Sequence, residues 1–234
     1  MSLRAKVIAS LALATSAFLL VPAAAQAATH PVQVTGAKLK TALLPASTFG
    51  SGFKLLGATG SGKSLWHQKA TKNIPTMSCG NFEDQTLAGY GESAAAVSVI
   101  IDNNPTSLSD LSNLLYEQTV YQFPSTKAAA TFYNQAHAKY ASCKSFSDKV
   151  SGDPNGNSTI TLKSIAKAKV GTHRAFQLTQ DLNEPGATGV SLKLNTLVTV
   201  KGADIFIFIN AGTANHPVPA KTMLKLISRV AELR

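Results

Sequence analysis

The chain is 234 residues long, 44% hydrophobic and 15% charged, with 22 Lys and Arg against 12 Asp and Glu for a formal net charge of +10. That length holds one domain with a sizeable core. The basic residues are spread without a Lys/Arg run, which argues against nucleic acid as a partner and leaves two readings, a solvated surface or attraction to an anionic envelope ligand.

Arg4 and Lys6 open the chain with positive charge, Val7 to Val21 is apolar and uncharged, and Ala25-Gln26-Ala27 is a small-x-small cleavage site. Residues 1–27 therefore read as a secretory signal peptide; the apolar run is short for a span and no stop-transfer pattern follows. No Cys follows the cleavage site to carry a lipid. With no later segment apolar enough to cross a bilayer, the mature chain is expected to be secreted and extracellular, without a transmembrane segment. Residues 28–38 read as a flexible lead-in, and residues 39–234 as one domain.

"AKLKTALL" predicts a short helix that Pro45 stops. Ser47 to Ser64 is rich in Gly and Ser and reads as loop. In "AAAVSVIID", Val97, Val99 and Ile101 alternate with Ser98, Ile100 and Asp102, which is strand period. "NNPTS" marks a turn, and Leu114 to Phe123 supplies β-formers for a second strand. Pro124-Ser125 opens a helix whose Ala129, Phe132, Tyr133, Ala136 and Tyr140 share one face.

Cys143 continues that stripe toward the core, where Cys79 can meet it. Two cysteines in an exported chain suggest one disulfide, worth about 4 kcal/mol in the chain-entropy model. After the loop "SGDPNGNS", four strands are expected: Thr159 to Ile165, Ala175 to Leu182, Val190 to Val200 and Asp204 to Asn210. Gly202 joins the last two as an antiparallel hairpin. "IFIFI" is apolar on both sides, which places it centrally or under cover on both faces. From about Val218 an amphipathic helix closes the chain, with Met223, Leu226, Ile227, Val230 and Leu233 buried. Grouped strands with helices between and after them give α+β, a mostly antiparallel sheet flanked by helices.

"GATGSGKS", Gly57 to Ser64, fits the phosphate-loop pattern G-x-x-x-x-G-K-[ST]. Such a loop joins a strand to a helix whose N–H groups cradle the phosphates. Here the preceding strand would be only "FKLL", "LWHQKATKNIP" has a poor helical pattern, and strand follows strand downstream. Asp102 could imitate a magnesium-binding aspartate, yet Ser98 interrupts its run. Nucleotide binding through Gly57, Gly62, Lys63 and Ser64 is thus a remote alternative. His30, His67, His137, His173 and His216 lack ligand spacing, so no metal or cofactor is expected. "GYGES" lacks the last glycine of a nucleophile elbow. Glu83, Asp84, Glu92 and Asp102 leave a secreted wall hydrolase open as an alternative, with Glu92 and Asp102 the carboxylates to test.

The order of these features resembles the PknH-like extracellular sensor domains of actinobacteria. "LLPASTFGSGF" (Leu43 to Phe53) is similar to that family's "LLP…GF" opening. A Cys beside Gly80, the strand "AAVSVII", and "VYQFPSTKAAATFYNQAHAKYASC" as strand, helix and Cys follow in order. The resemblance covers Leu39 to Arg234. It implies an antiparallel sheet flanked by helices, with a cleft for an unidentified ligand. The family's kinase, spanning helix and lipobox Cys have no counterpart here, and its better-known members carry a second disulfide. The reading that results is a secreted, non-enzymatic, sensor-like binding domain. Its ligand would sit between sheet and helices, contacted by loop residues. Trp66, beside Lys63 and His67, and Tyr90 in "AGYGE" are the candidates.

Overall fold

The computed structural model describes residues 32–60, 74–76, 78–80, 93–102, 115–149, 157–183 and 191–234. Among these residues eight strands form one antiparallel sheet: β1 (Phe53–Thr59), β2 (Ala94–Asp102), β3 (Leu115–Gln122), β4 (Ser145–Lys149), β5 (Asn157–Val170), β6 (His173–Asn183), β7 (Ser191–Lys201) and β8 (Asp204–Gly212). Their order is β1-β2-β3-β8-β7-β6-β5-β4. Two sequence-local meanders, β1 to β3 and β4 to β8, meet only where β3 pairs β8, from Leu115↔Ala211 to Gln122↔Asp204. The expected α+β class and antiparallel sheet are what the chain builds.

Helices cover both faces. On one face lie α1 (Gly36–Ala42) and the C-terminal α3 (Ala220–Ala231); on the other lies α2 (Thr126–Ser142). The first face gathers Ala96, Val120, Leu197, Phe206 and Phe208 against Leu39 of α1 and Met223, Leu226, Ile227 and Val230 of α3. The second gathers Tyr121, Phe176, Leu178, Val198, Ile205 and Ile207 against Ala129, Phe132, Tyr133, Ala136 and Tyr140 of α2. Alternate residues of β8 thus enter opposite cores, which is why "IFIFI" is apolar throughout. Each such side chain, fully buried, stabilises by about 1.5–3 kcal/mol.

Local chemistry sets the helix ends. Ser125 caps α2, its Oγ accepting the Ala128 N–H at 3.1 Å. Arg229 of α3 donates to the carbonyls of Thr41 and Ala42 at 2.9 and 2.8 Å, serving oxygens left over at the end of α1. Buried glutamines of β3 hold the N-terminal segment. Gln118 accepts from the Leu44 N–H and donates to the Leu44 carbonyl, and Gln122 accepts from the Val34 N–H. Cys143, just past α2, is bonded to Cys79, 64 residues upstream.

Two local readings are corrected. Phe53 to Thr59 is strand rather than loop. As an edge strand with Leu55 and Leu56 exposed and a bulge between Leu55 and Gly57, β1 carries no clean alternation to read. Ser145–Lys149, not expected as structure, is the opposite edge; "SFSDK" is too short and polar to announce itself. Gly57 of the phosphate-loop string pairs with Val99 in the β1–β2 ladder. Gly60, later in the same string, abuts Gly36 so closely that a Cβ on Gly60 would lie 2.2 Å from the Gly36 carbonyl oxygen.

Candidate functional site

Between α2 and the β5–β6 hairpin lies a cleft of about 490 Å3. That is a usual size for a small-ligand site. One wall comes from α2, where the 3.6-residue period puts Tyr133, Asn134 and His137 over the hairpin. The other comes from the hairpin strands, which turn at Gly171 and Thr172 and whose register sets Lys169 opposite Arg174 and Lys167 opposite Phe176. Strand alternation then puts Lys167, Lys169, Arg174 and Phe176 on the face that α2 covers.

The floor is aromatic. Phe176 is fully buried, with the Tyr133 and His137 rings at 5.2 and 5.1 Å centroid distance. Above it the Arg174 guanidinium stacks 4.7 Å over the Tyr133 ring, and its Nη1 donates to Asn134 Oδ1 at 3.3 Å. Two contacts thus hold the planar guanidinium in place before anything binds. Burial pushes the Tyr133 phenol above its ordinary range, while the positive charge of Arg174 works against that rise.

Charge balance separates this hairpin end from the other. There, Lys163 and Lys193 both bind Asp181, at 3.1 and 2.6 Å. Burial acts to raise the Asp181 carboxyl, but hydrogen bonds and charge from the two lysines hold it below the usual carboxylate range. At the cleft, no carboxylate among the described residues pairs with Lys167, Lys169 or Arg174. Like charges directly opposite on neighbouring strands destabilise a sheet, and Lys169↔Arg174 is such a pair.

The ligand contacts expected from sequence are a different set of residues from those named for this wall. Lys63, Trp66, His67 and Tyr90 lie outside the described residues. So do Gly62 and Ser64 of the phosphate-loop string, Glu83, Asp84 and Glu92 of the hydrolase reading, and residues 1–27, expected to be a signal peptide. Asp102 ends β2 opposite Phe53. The Cys79–Cys143 pairing is as expected. Tyr133 is core, as its place on the apolar stripe of α2 predicts, and also borders the cleft; the three cations are what the sequence reading misses. Their one signal was the charge at every second residue, Lys167 and Lys169, beside a Gly turn. Among the described residues no three His, Cys, Asp or Glu side chains gather as a metal site needs, and no helix is long and apolar enough to cross a membrane.

The family model for the PknH-like extracellular domain matches residues 34–222. Among solved structures, the fold is similar to the crystal structure of the extracellular domain of PknH from Mycobacterium tuberculosis. That likeness has a TM-score of 0.58 and 15% identity, and covers 86% of this chain and 96% of that one. At that identity it speaks for the fold alone. None of the curated proteins matches the chain.

Proposed function

Because the chain belongs to the PknH-like extracellular domain family and so acts outside the cell, we propose that it is a secreted, non-enzymatic, sensor-type domain that binds a small anionic envelope ligand in the cleft between α2 and the β5–β6 hairpin. Residues 1–27 serve as its export signal. The observation that carries the reading is the cleft wall of Lys167, Lys169 and Arg174, left without a carboxylate partner among the described residues and facing the aromatic floor of Tyr133 and Phe176. Binding modules place a few polar groups around an apolar pocket in this way. An oriented arginine fits an oxyanion better than a mobile amine does.

The test is a titration of isotope-labelled mature protein with fractionated anionic envelope material, followed by NMR. Signals of His137, Tyr133 and the Arg174 side chain should shift and saturate. Arg174→Ala should weaken binding on the order of tenfold, as loss of a charge-assisted contact does, with the fold intact. Saturable binding that leaves those signals still, or that Arg174→Ala does not weaken, sinks the assignment to this cleft.

A further inference from the structure

Resting on that cleft, we infer that the ligand group it selects is a dianionic phosphate monoester rather than a singly charged carboxylate or phosphodiester. Three features of the wall point to it. First, three cations stand within one strand pair. Lys169 and Arg174 are directly opposed and Lys167 is two residues along, beside Phe176. Direct opposition of like charges opposes sheet formation, and an anion between them reverses the sign of that term. One negative charge leaves two of the three cations uncompensated. A monoester, with its second proton leaving near a pKa of about 6, brings close to two charges at neutral pH.

Second, the Arg174 fork is already aimed. The Tyr133 ring fixes its plane, and the Asn134 amide oxygen takes one Nη1 hydrogen. Arg has five donors, so most remain for a tetrahedral group with three terminal oxygens. The amines of Lys167 and Lys169 supply donors from the neighbouring strand. Third, the floor is aromatic. Phe176 and the His137 ring, packed edge to face, suit an apolar or aromatic body attached to the phosphate.

The experiment uses the whole mature protein at low salt and four probes: phenyl phosphate, inorganic phosphate, dimethyl phosphate and benzoate. Phenyl phosphate should shift the His137 and Arg174 signals and bind on the order of tenfold more tightly than dimethyl phosphate or benzoate, since a second charge-assisted contact is lost with either. Inorganic phosphate should reach the same signals more weakly, lacking the apolar body. Two variants guard against a folding artefact. Arg174→Lys keeps the charge but loses the fork and should bind phenyl phosphate more weakly. Asn134→Asp keeps the size, gives Arg174 a carboxylate partner, and should remove the preference for two charges.

Vesicles containing phosphatidic acid, against vesicles containing phosphatidylglycerol, separate the sources. Capture by the first alone, lost in Arg174→Ala, assigns the monoester to a lipid; no capture beside tight phenyl phosphate binding assigns it to a soluble ester. Equal affinity for benzoate and phenyl phosphate at the cleft signals overturns the charge selection and leaves the cleft reading standing. Failure of all four probes to move those signals overturns the phosphate inference; whether envelope material still moves them decides the cleft reading separately.

Discussion

Glu117 is a carboxylate with almost no water around it. It sits in β3 on the face that α2 covers, 7% exposed, and Thr119 Oγ1 donates to its Oε1 at 3.2 Å. Burial raises its pKa from 4.5 to about 7, and the Thr119 bond offsets part of that rise. The folded state therefore keeps a proton that the unfolded state releases between these values. This contribution to stability is complete below pH 4.5 and falls as pH rises through about 7, to a deficit of about 3 kcal/mol in alkaline solution. Urea titrations across that window should show the wild-type midpoint falling more than that of Glu117→Gln, with the variant the more stable in alkali. Parallel curves would place the charge of Glu117 in water. None of this was legible beforehand, because "LYEQTVYQ" puts polar residues on both faces and only packing shows which are covered. The cleft cations were hidden for a related reason. Lys167, Lys169 and Arg174 are exposed and read as the wet side of strands; only the register that opposes two of them and the helix α2 beside them make them a cleft wall.

Elements announced themselves in proportion to their periodicity. α2 was legible from its apolar stripe and its Ser125 cap, and β6 to β8 from alternation and a Gly turn. β1 was lost because its bulge and Gly57 break the alternation, and because an edge strand need bury only one side. The glycine string that imitates a phosphate loop has a packing cause at one position, where Gly60 and Gly36 bring two backbones together. Gly60→Ala should destabilise by at least the 1–3 kcal/mol typical of overpacking, since the clash is with backbone. Thermal melts would show it, and an unchanged melting temperature would mean that α1 yields freely. The same scale holds a test of the opposed charges. Lys169→Gln should stabilise the ligand-free protein by about 0.2–1 kcal/mol at low salt, and the gain should shrink as salt screens the pair. Destabilisation at low salt would mean that Lys169 packs more than it repels.

The described residues form two meanders joined by one strand pairing, β3 with β8, and sandwiched by helices. Its antiparallel architecture could be read from grouped strands, but the seam could not, since nothing in β3 or β8 names the other as partner. The disulfide is a second tie. It links Cys79, between β1 and β2 in the chain, to the end of α2. Closing a ring of 64 residues restricts the unfolded chain, so Cys79→Ser with Cys143→Ser should cost up to about 4 kcal/mol, seen as a lower denaturation midpoint. An unchanged midpoint would mean that the ring constrains little. The tie has one more consequence. A peptide-bond cut anywhere between residues 80 and 142 separates the backbone into two fragments that each keep one half of the cystine. Among extracellular proteases, such a nicked molecule migrates as one species until a reductant is added, and both sides of the seam stay together to repair their pairing.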